Sequence, residues 1–310
     1  MDPLRLHPQA RAALQVQRRA PLTLSGVEAM RQSMVDAIAD EAGAGPALDS
    51  VSDVDAGGVR VRVYGRARGP FLVYAHGGGW VLGDLDTHDA LCRHLARACG
   101  WTVVAVDYRR APEARYPAAL QDVERVLAWL PPAATVAVGG DSAGGHLAAL
   151  AARRSRDTGR PVAAQVLICP VISPAMAYPD LDDYGLSREE MRFFWEAYAD
   201  DLDDPVLDVS AGDLHGLPPA VVVTAELDVL CAEGERYAAG LQAAGVPVIA
   251  SRYLGMNHNF PRKPALFDAA HAAVAAVAAA LNRCAPGAVD RPDRGTVAGA
   301  PAGSGLGGFE

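Results

Sequence analysis

From residue 71 almost to the end of the chain, short runs rich in valine, leucine and alanine alternate with longer stretches whose apolar residues recur at helical spacing. The runs 71–75, 102–106, 135–138, 164–168, 220–224 and 248–253 read as strands. They are largely apolar rather than alternating, the pattern of strands covered on both faces. Between them, 85–98, 118–130, 144–156, 231–244 and 264–282 have the length and periodicity of amphipathic helices. This βαβα alternation predicts an α/β fold, doubly wound, with a mostly parallel central sheet flanked by helices. Ahead of it, 51–55 and 59–64 are strand-like and separated by Ala56-Gly57-Gly58, which predicts a hairpin where the sheet begins.

Two segments fall outside the alternation: residues 1–45, which start polar and helical, and 173–214, which contain an amphipathic stretch at 188–199. A long insertion after the carboxyl end of a strand lies where open α/β sheets bind ligands, so these segments are expected to form a helical cap. From 285 to 310 the chain is Gly/Pro/Ala-rich and aperiodic, and it is expected to be disordered. The division is therefore a single domain over 1–284 and a tail over 285–310.

Composition narrows the function classes. At 310 residues and 50% hydrophobic content the chain can bury a large α/β core. Its 28 basic residues against 37 acidic give a net charge of −9, which argues against nucleic acid as a partner. Lys263 is the sole lysine, a bias that points to no function. The five cysteines, Cys92, Cys99, Cys169, Cys231 and Cys284, are odd in number and scattered, so they read as buried free thiols and not as a disulfide framework or paired-cysteine metal site. The longest apolar run, 272–281, is far short of the ~20 residues that cross a bilayer, and the first residues lack a basic region followed by an apolar one. The expectation is a cytoplasmic protein with no membrane insertion.

Candidate chemistry begins at Gly140-Asp141-Ser142-Ala143-Gly144, placed directly between a strand and a helix. With eleven serines and 31 glycines in the chain, chance supplies roughly 0.1 such matches, so the motif carries information. A strand turning at once into a helix forces the serine into a strained conformation, and side chains two residues to either side would collide with neighbouring backbone. The turn lifts the hydroxyl clear of the sheet at the positive end of the helix. A phosphate-cradling loop would show a longer glycine spacing with a lysine, or G-x-G-x-x-G, neither of which is present here.

A serine hydroxyl needs a base, and the base an orienting acid, in the order Ser, Asp/Glu, His for this kind of sheet. Of eight histidines only His258 and His271 follow the acidic candidates at the end of the strand 220–224. His271 falls in an Ala-rich helix, whereas His258 sits in Gly255-Met256-Asn257-His258-Asn259-Phe260 just past a strand, and is preferred. For the acid, Asp228 lies just past its strand and Glu226 is the fallback; Glu233 and Glu235 fall on the next helix, where solvated positions are usual. Oxyanion donors are expected from His76-Gly77-Gly78-Gly79, straight after the strand 71–75, and from the N–H of Ala143, each such donor being worth ~10²- to ~10³-fold in rate.

With H-G-G-G and G-D-S-A-G-G both present, the chain resembles the bacterial hormone-sensitive-lipase esterases (family IV) of the α/β-hydrolase superfamily, from about residue 3 to 283. Asp107-Tyr108-Arg109-Arg110-Ala111-Pro112-Glu113 with Tyr116-Pro117-Ala118-Ala119 resembles the family block DYRLAPE…PAAL, and Glu233-Gly234-Glu235-Arg236-Tyr237-Ala238 its helix after the acid. The resemblance implies a serine carboxylesterase acting on short-acyl esters through an acyl-enzyme. It implies Ser142, Asp228 and His258 as triad, Gly77, Gly78 and Ala143 as oxyanion donors, no metal or organic cofactor, a small-molecule ester as substrate, and a homodimer as an option. Two departures stand out. Asp228-Val229-Leu230-Cys231-Ala232 replaces D-P-L-x-D, loosening the acid loop, and Asn259 replaces the glycine of G-M-x-H-G-F, narrowing the space beside His258 or adding a substrate hydrogen bond.

The alternatives to esterase are a deacetylase or amide hydrolase tailored to a natural product or xenobiotic, which the same triad permits, and a non-catalytic ligand receptor of the same fold. The retained His258 speaks against the receptor.

Overall fold

The computed structural model describes residues 5–16, 22–67 and 69–284, so the expected disordered tail, 285–310, lies outside the described residues, as does part of 1–45. Eight strands form one sheet: β1 (Val51–Asp55), β2 (Arg60–Tyr64), β3 (Phe71–Ala75), β4 (Thr102–Val106), β5 (Val136–Asp141), β6 (Ala164–Ile168), β7 (Ala220–Leu227) and β8 (Val248–Asn257). Their order is β1-β2-β4-β3-β5-β6-β7-β8. Strand β2 runs antiparallel to both β1 and β4, and the rest is parallel. The expected hairpin joins β1 to β2: Gly57 and Gly58 take φ of +69° and +88°, and the Ala56 N–H donates to the Val59 carbonyl at 2.8 Å. A two-residue turn with two positive φ angles is one that glycine adopts without strain.

The apolar strands explain the layering. Consecutive residues of β3 and β4 point to opposite faces, Val73 and Val104 into one core, Leu72 and Val103 into the other. The first core is closed by α5 (Ala118–Trp129), α6 (Ala143–Asp157) and α8 (Cys231–Ala243), the second by α4 (Asp89–Cys99) and α9 (Asp268–Cys284). Among the described residues no helix is long and apolar enough to cross a membrane.

Element ends differ from the sequence reading where polar residues continue a strand or side chains hold a turn. Strands β7 and β8 run several residues further than their apolar cores because their pairing continues through Thr224↔Arg252 and Ala225↔Tyr253 to Leu227↔Asn257, across an irregularity. Helix α4 starts four residues late, since Asp84 and Thr87 exchange two side-chain to backbone bonds of 2.8 Å and close a turn ahead of it.

The segments outside the alternation reach residues at or beyond the carboxyl ends of strands. Before β1 lie α1 (Pro8–Val16), α2 (Val27–Asp36) and α3 (Ile38–Glu41), and between β6 and β7 lies α7 (Arg188–Tyr198), opened by a Ser187–Glu190 capping box. The His7 N–H donates to the Gly255 carbonyl in β8 at 3.0 Å. Trp195 and Tyr198 of α7 pack on Trp80, with ring centroids 4.4 and 4.2 Å apart.

At the end of α3, Glu41 binds both Arg262 and Lys263, the latter at 2.7 Å. Burial favours the protonated Glu41 carboxyl, but the two cations outweigh it and the pKa is lowered. A depressed carboxyl contributes stability that is present above the ordinary glutamate range and lost as pH falls through the folded value. Glu41→Gln should therefore lower stability near neutral pH by about 1–3 kcal/mol, a gap that closes on acidification. Melting temperatures of both proteins across the acid range check it.

Candidate active site

The turn between β5 and α6 is closed by backbone against backbone. A Cβ on Gly144 would lie 2.0 Å from the Ala75 carbonyl oxygen, and one on Gly140 would lie 2.3 Å from the Gly144 carbonyl group. Ser142, between them, is held at φ +55°, ψ −120°. Its N–H donates to the Ile168 carbonyl at 2.8 Å, and its own carbonyl accepts from Val171 at 3.1 Å and His146 at 3.2 Å. The strain is sustained because the surrounding bonds over-determine the conformation.

His258 follows β8 directly, and its Nε2 lies 3.0 Å from Ser142 Oγ. Its Nδ1 lies 2.6 Å from Asp228 Oδ2, and a carboxylate being an acceptor, Nδ1 carries the proton. The other Asp228 oxygen accepts the Leu230 N–H at 3.0 Å, so a backbone bond fixes the carboxylate plane. The Asp228 side chain is fully buried, while 11% of that of His258 stays exposed. Ser142, His258 and Asp228, far apart in the chain, are thus joined in one line of hydrogen bonds.

The competing candidates are engaged elsewhere. Glu226 accepts the Gly255 N–H at 2.8 Å and faces Arg5 at 3.5 Å. His271 is exposed on α9 and meets the edge of the His94 ring. Glu235 pairs with Arg252. Glu233 departs from the solvated position expected of it: it is 5% exposed and accepts the Ile172 N–H at 2.8 Å. Burial pushes its pKa up to about 8, with the nearby Asp228 charge adding to the rise and the Ile172 bond opposing it. No periodicity signals this, because the helix face that carries Glu233 is turned to the segment leaving β6.

The glycine loop corrects one expected donor. The Gly77 N–H donates to Asp141 Oδ1 at 3.0 Å and is therefore spent inside the protein, whereas among the described residues the N–H groups of Gly78, Gly79 and Ala143 have no such partner. Gly78 and Gly79 have φ of +118° and +60°, and a Cβ on Gly79 would overlap the Phe194 ring at 2.2 Å. Asp141, buried beside Ser142, also accepts from Tyr74 Oη at 2.9 Å and lies 3.3 Å from His88 Nε2. Burial would raise its pKa, yet His88 and Tyr74 prevail and hold the carboxyl down at about 2. Asp141 thus ties the strand leading into Ser142 to the glycine loop as a buried anion, a role that the motif alone does not disclose. His76, stacked on Tyr108, has its pKa lowered to about 3 by burial and by His88.

Asn259, the departure beside His258, takes φ +56°. The position requires the left-handed region, which glycine occupies freely and asparagine tolerates best among the other residues. The substitution keeps the backbone path of the histidine loop.

A sheet of this order, with a serine on the strand–helix turn after β5 and an acid and a histidine after β7 and β8, defines an α/β-hydrolase. The family model for the alpha/beta hydrolase fold matches residues 72–262. The chain is 37% identical over 265 residues to esterase LipI of Mycobacterium tuberculosis, covering 76% of this chain and 82% of that one. It is 38% identical over 249 residues to carboxylesterase NlhH of the same organism, covering 73% and 78%, and 35% identical over 234 residues to an ethyl acetate hydrolase of Pseudomonas putida, covering 69% and 73%. Among solved structures, a hyperthermophilic esterase from the archaeon Pyrobaculum calidifontis superposes with a TM-score of 0.81 at 34% identity, over 90% of this chain and 98% of that one. The chain belongs to the hormone-sensitive-lipase-like esterase family of α/β-hydrolases.

Two outcomes follow from the site's packing. Gly144→Ala should destabilise the protein by about 3 kcal/mol or more, read by thermal unfolding, because backbone and not a flexible side chain meets the new methyl. For Glu233, a folded pKa raised above the unfolded one gives stability that is present below the ordinary glutamate range and lost as pH rises through about 8. Glu233→Gln keeps an acceptor for Ile172 without that loss. The variant should therefore gain on wild type as pH rises from the ordinary glutamate range to about 8 and level off above it, in melts run at a series of pH values.

Proposed function

We propose that this carboxylic ester hydrolase is a serine enzyme that cleaves esters of short acyl chains through an acyl-enzyme. The single observation behind the reading is the unbroken line Ser142 Oγ–His258–Asp228, with 3.0 and 2.6 Å between successive polar atoms. His258 Nε2 takes the Ser142 proton as Oγ attacks the ester carbonyl, and the same proton goes to the departing alcohol. Asp228 holds the Nδ1 proton and stabilises the imidazolium that forms. A water, deprotonated by His258, then attacks the acyl carbonyl, and Ser142 leaves with the proton.

The oxyanion donors in this reading are the N–H groups of Gly78, Gly79 and Ala143, since that of Gly77 is bound to Asp141. The preference for short chains is supported by the ethyl acetate hydrolase among the relatives and by Phe194, which lies against Gly79 and limits the room beside the loop. The described residues of 1–45 and the segment 173–214 act as the cap over this site, with α7 supplying the contact to the loop.

Ser142→Ala should lower turnover of p-nitrophenyl acetate by about 10⁶-fold while leaving thermal unfolding close to wild type, and wild-type rates should fall steeply from acetyl to palmitoyl esters. Full activity in Ser142→Ala, or equal rates across the series, would refute the proposal.

A further inference from the structure

Behind the Asp228–His258 pair lies a third side chain that the proposed chemistry does not use. Cys169 follows β6, is 1% exposed, and has φ +44°, rare for a residue other than glycine. Its sulfur, a carboxylate oxygen of Asp228 and a ring nitrogen of His258 all lie within 4.8 Å of one another. Thiolate, imidazole and carboxylate form the donor set of tetrahedral zinc sites, with bonds of ~2.0 Å to N and O and ~2.3 Å to S. Ligands of such a site stand roughly 3.3–3.8 Å apart, so admitting an ion parts Asp228 Oδ2 from His258 Nδ1, now 2.6 Å away, and draws the sulfur in, movements of about 1 Å or less.

We propose that Cys169, Asp228 and His258 form a binding site for a soft divalent cation of the Zn2+ or Cd2+ class, whose occupancy blocks ester hydrolysis. The inference rests on the proposed catalytic role of His258 for the block, but not for the binding.

Each ligand already has the outer support that metal sites require. The second Asp228 oxygen is held by the Leu230 N–H at 3.0 Å, and His258 Nε2 is held by Ser142 Oγ at 3.0 Å. The Asn259 backbone N–H favours the Cys169 thiolate, against burial and the Asp228 charge, which disfavour it. The cation answers this unfavourable balance, because a positive charge among a thiolate and a carboxylate replaces the proton as counter-charge.

The proton balance explains the block. On binding, the Cys169 thiol loses its proton to solvent, and the His258 proton leaves Nδ1, where the ion now sits, for Nε2. The imidazole remains neutral but presents an N–H to Ser142 in place of a lone pair, so it no longer accepts the serine proton. Asp228 turns from orienting the histidine to ligating the ion. Entry is through the exposed face of His258, since the other two side chains are sealed.

The test titrates the full chain with Cd2+, following thiolate-to-cadmium charge-transfer absorption and, in parallel, hydrolysis of p-nitrophenyl acetate. In wild type, activity should vanish in step with one absorbance transition and return on adding EDTA. Cys169→Ala and Cys169→Ser, the second keeping nearly the original volume, should hydrolyse the ester while needing at least about ten-fold more Cd2+ for either effect. His258→Ala should weaken the absorbance transition by a similar factor, which the four remaining thiols acting as adventitious ligands would not produce. Inhibition at the same Cd2+ concentration in wild type and both Cys169 variants overturns the site. A wild type that shows the Cys169-dependent transition but cleaves no ester upholds the site and refutes the esterase mechanism instead.

Discussion

Much of the structure hangs on the closeness of two backbones, that of β3 at Ala75 and that of α6 at Gly144, separated by less than any Cβ could fit. This contact sets the angle at which α6 leaves β5, and with it the strained conformation of Ser142. The same residue, Ala75, is where β3 ends and the glycine loop begins. Ser142 and the loop are therefore referenced to a single point, and neither can shift without the other. Asp141 adds a second tie: a buried anion at the end of β5 takes the Gly77 N–H, while His88 and Tyr74 keep it charged. Rigid placement of this kind is what electrostatic stabilisation of a transition state requires, since donors already aimed need no reorganisation.

The sheet and its flanking helices were legible because burial on both faces leaves a clear mark: β3, β4 and β6 are buried at every position and apolar except at Thr102 and Gln165, and their ends coincide with the apolar runs. Ser142, Asp228 and His258 were legible for a different reason. Each stands where its element ends, and chain order leaves few competitors. What escaped the sequence reading depends on contacts between elements remote in sequence. Gly77 and Gly78 are indistinguishable from their letters, and only the position of Asp141, 64 residues on, shows that the first is consumed internally. Glu233 reads as a surface residue until the path of the chain after β6 is known, since Ile172 covers it.

Buried polar groups around the site divide into two kinds. Asp141 and the half-buried Glu41 meet donors or cations and have their pKa values lowered by them. Glu233 has one backbone donor and sits near another carboxylate, so burial governs its protonation. A core that stores one carboxyl near its titration point close to another will respond unevenly to pH: the alkaline side charges the buried Glu233 beside Asp228, while the acid side loosens the Glu41 clamp. The two ends of the pH range thus act on different parts of the molecule.

The overlap of Phe194 with the space above Gly79 has a further meaning. The ring that limits the room beside the loop is also the weight that keeps the loop down, because Gly79 has no side chain of its own to anchor it. Widening the entrance by truncating Phe194 would also release the strip of backbone that the reaction needs held still. Under the proposed mechanism, selectivity and speed are in this way written on one aromatic ring, and an enzyme evolving toward bulkier esters would have to rebuild the support for its loop from another helix first.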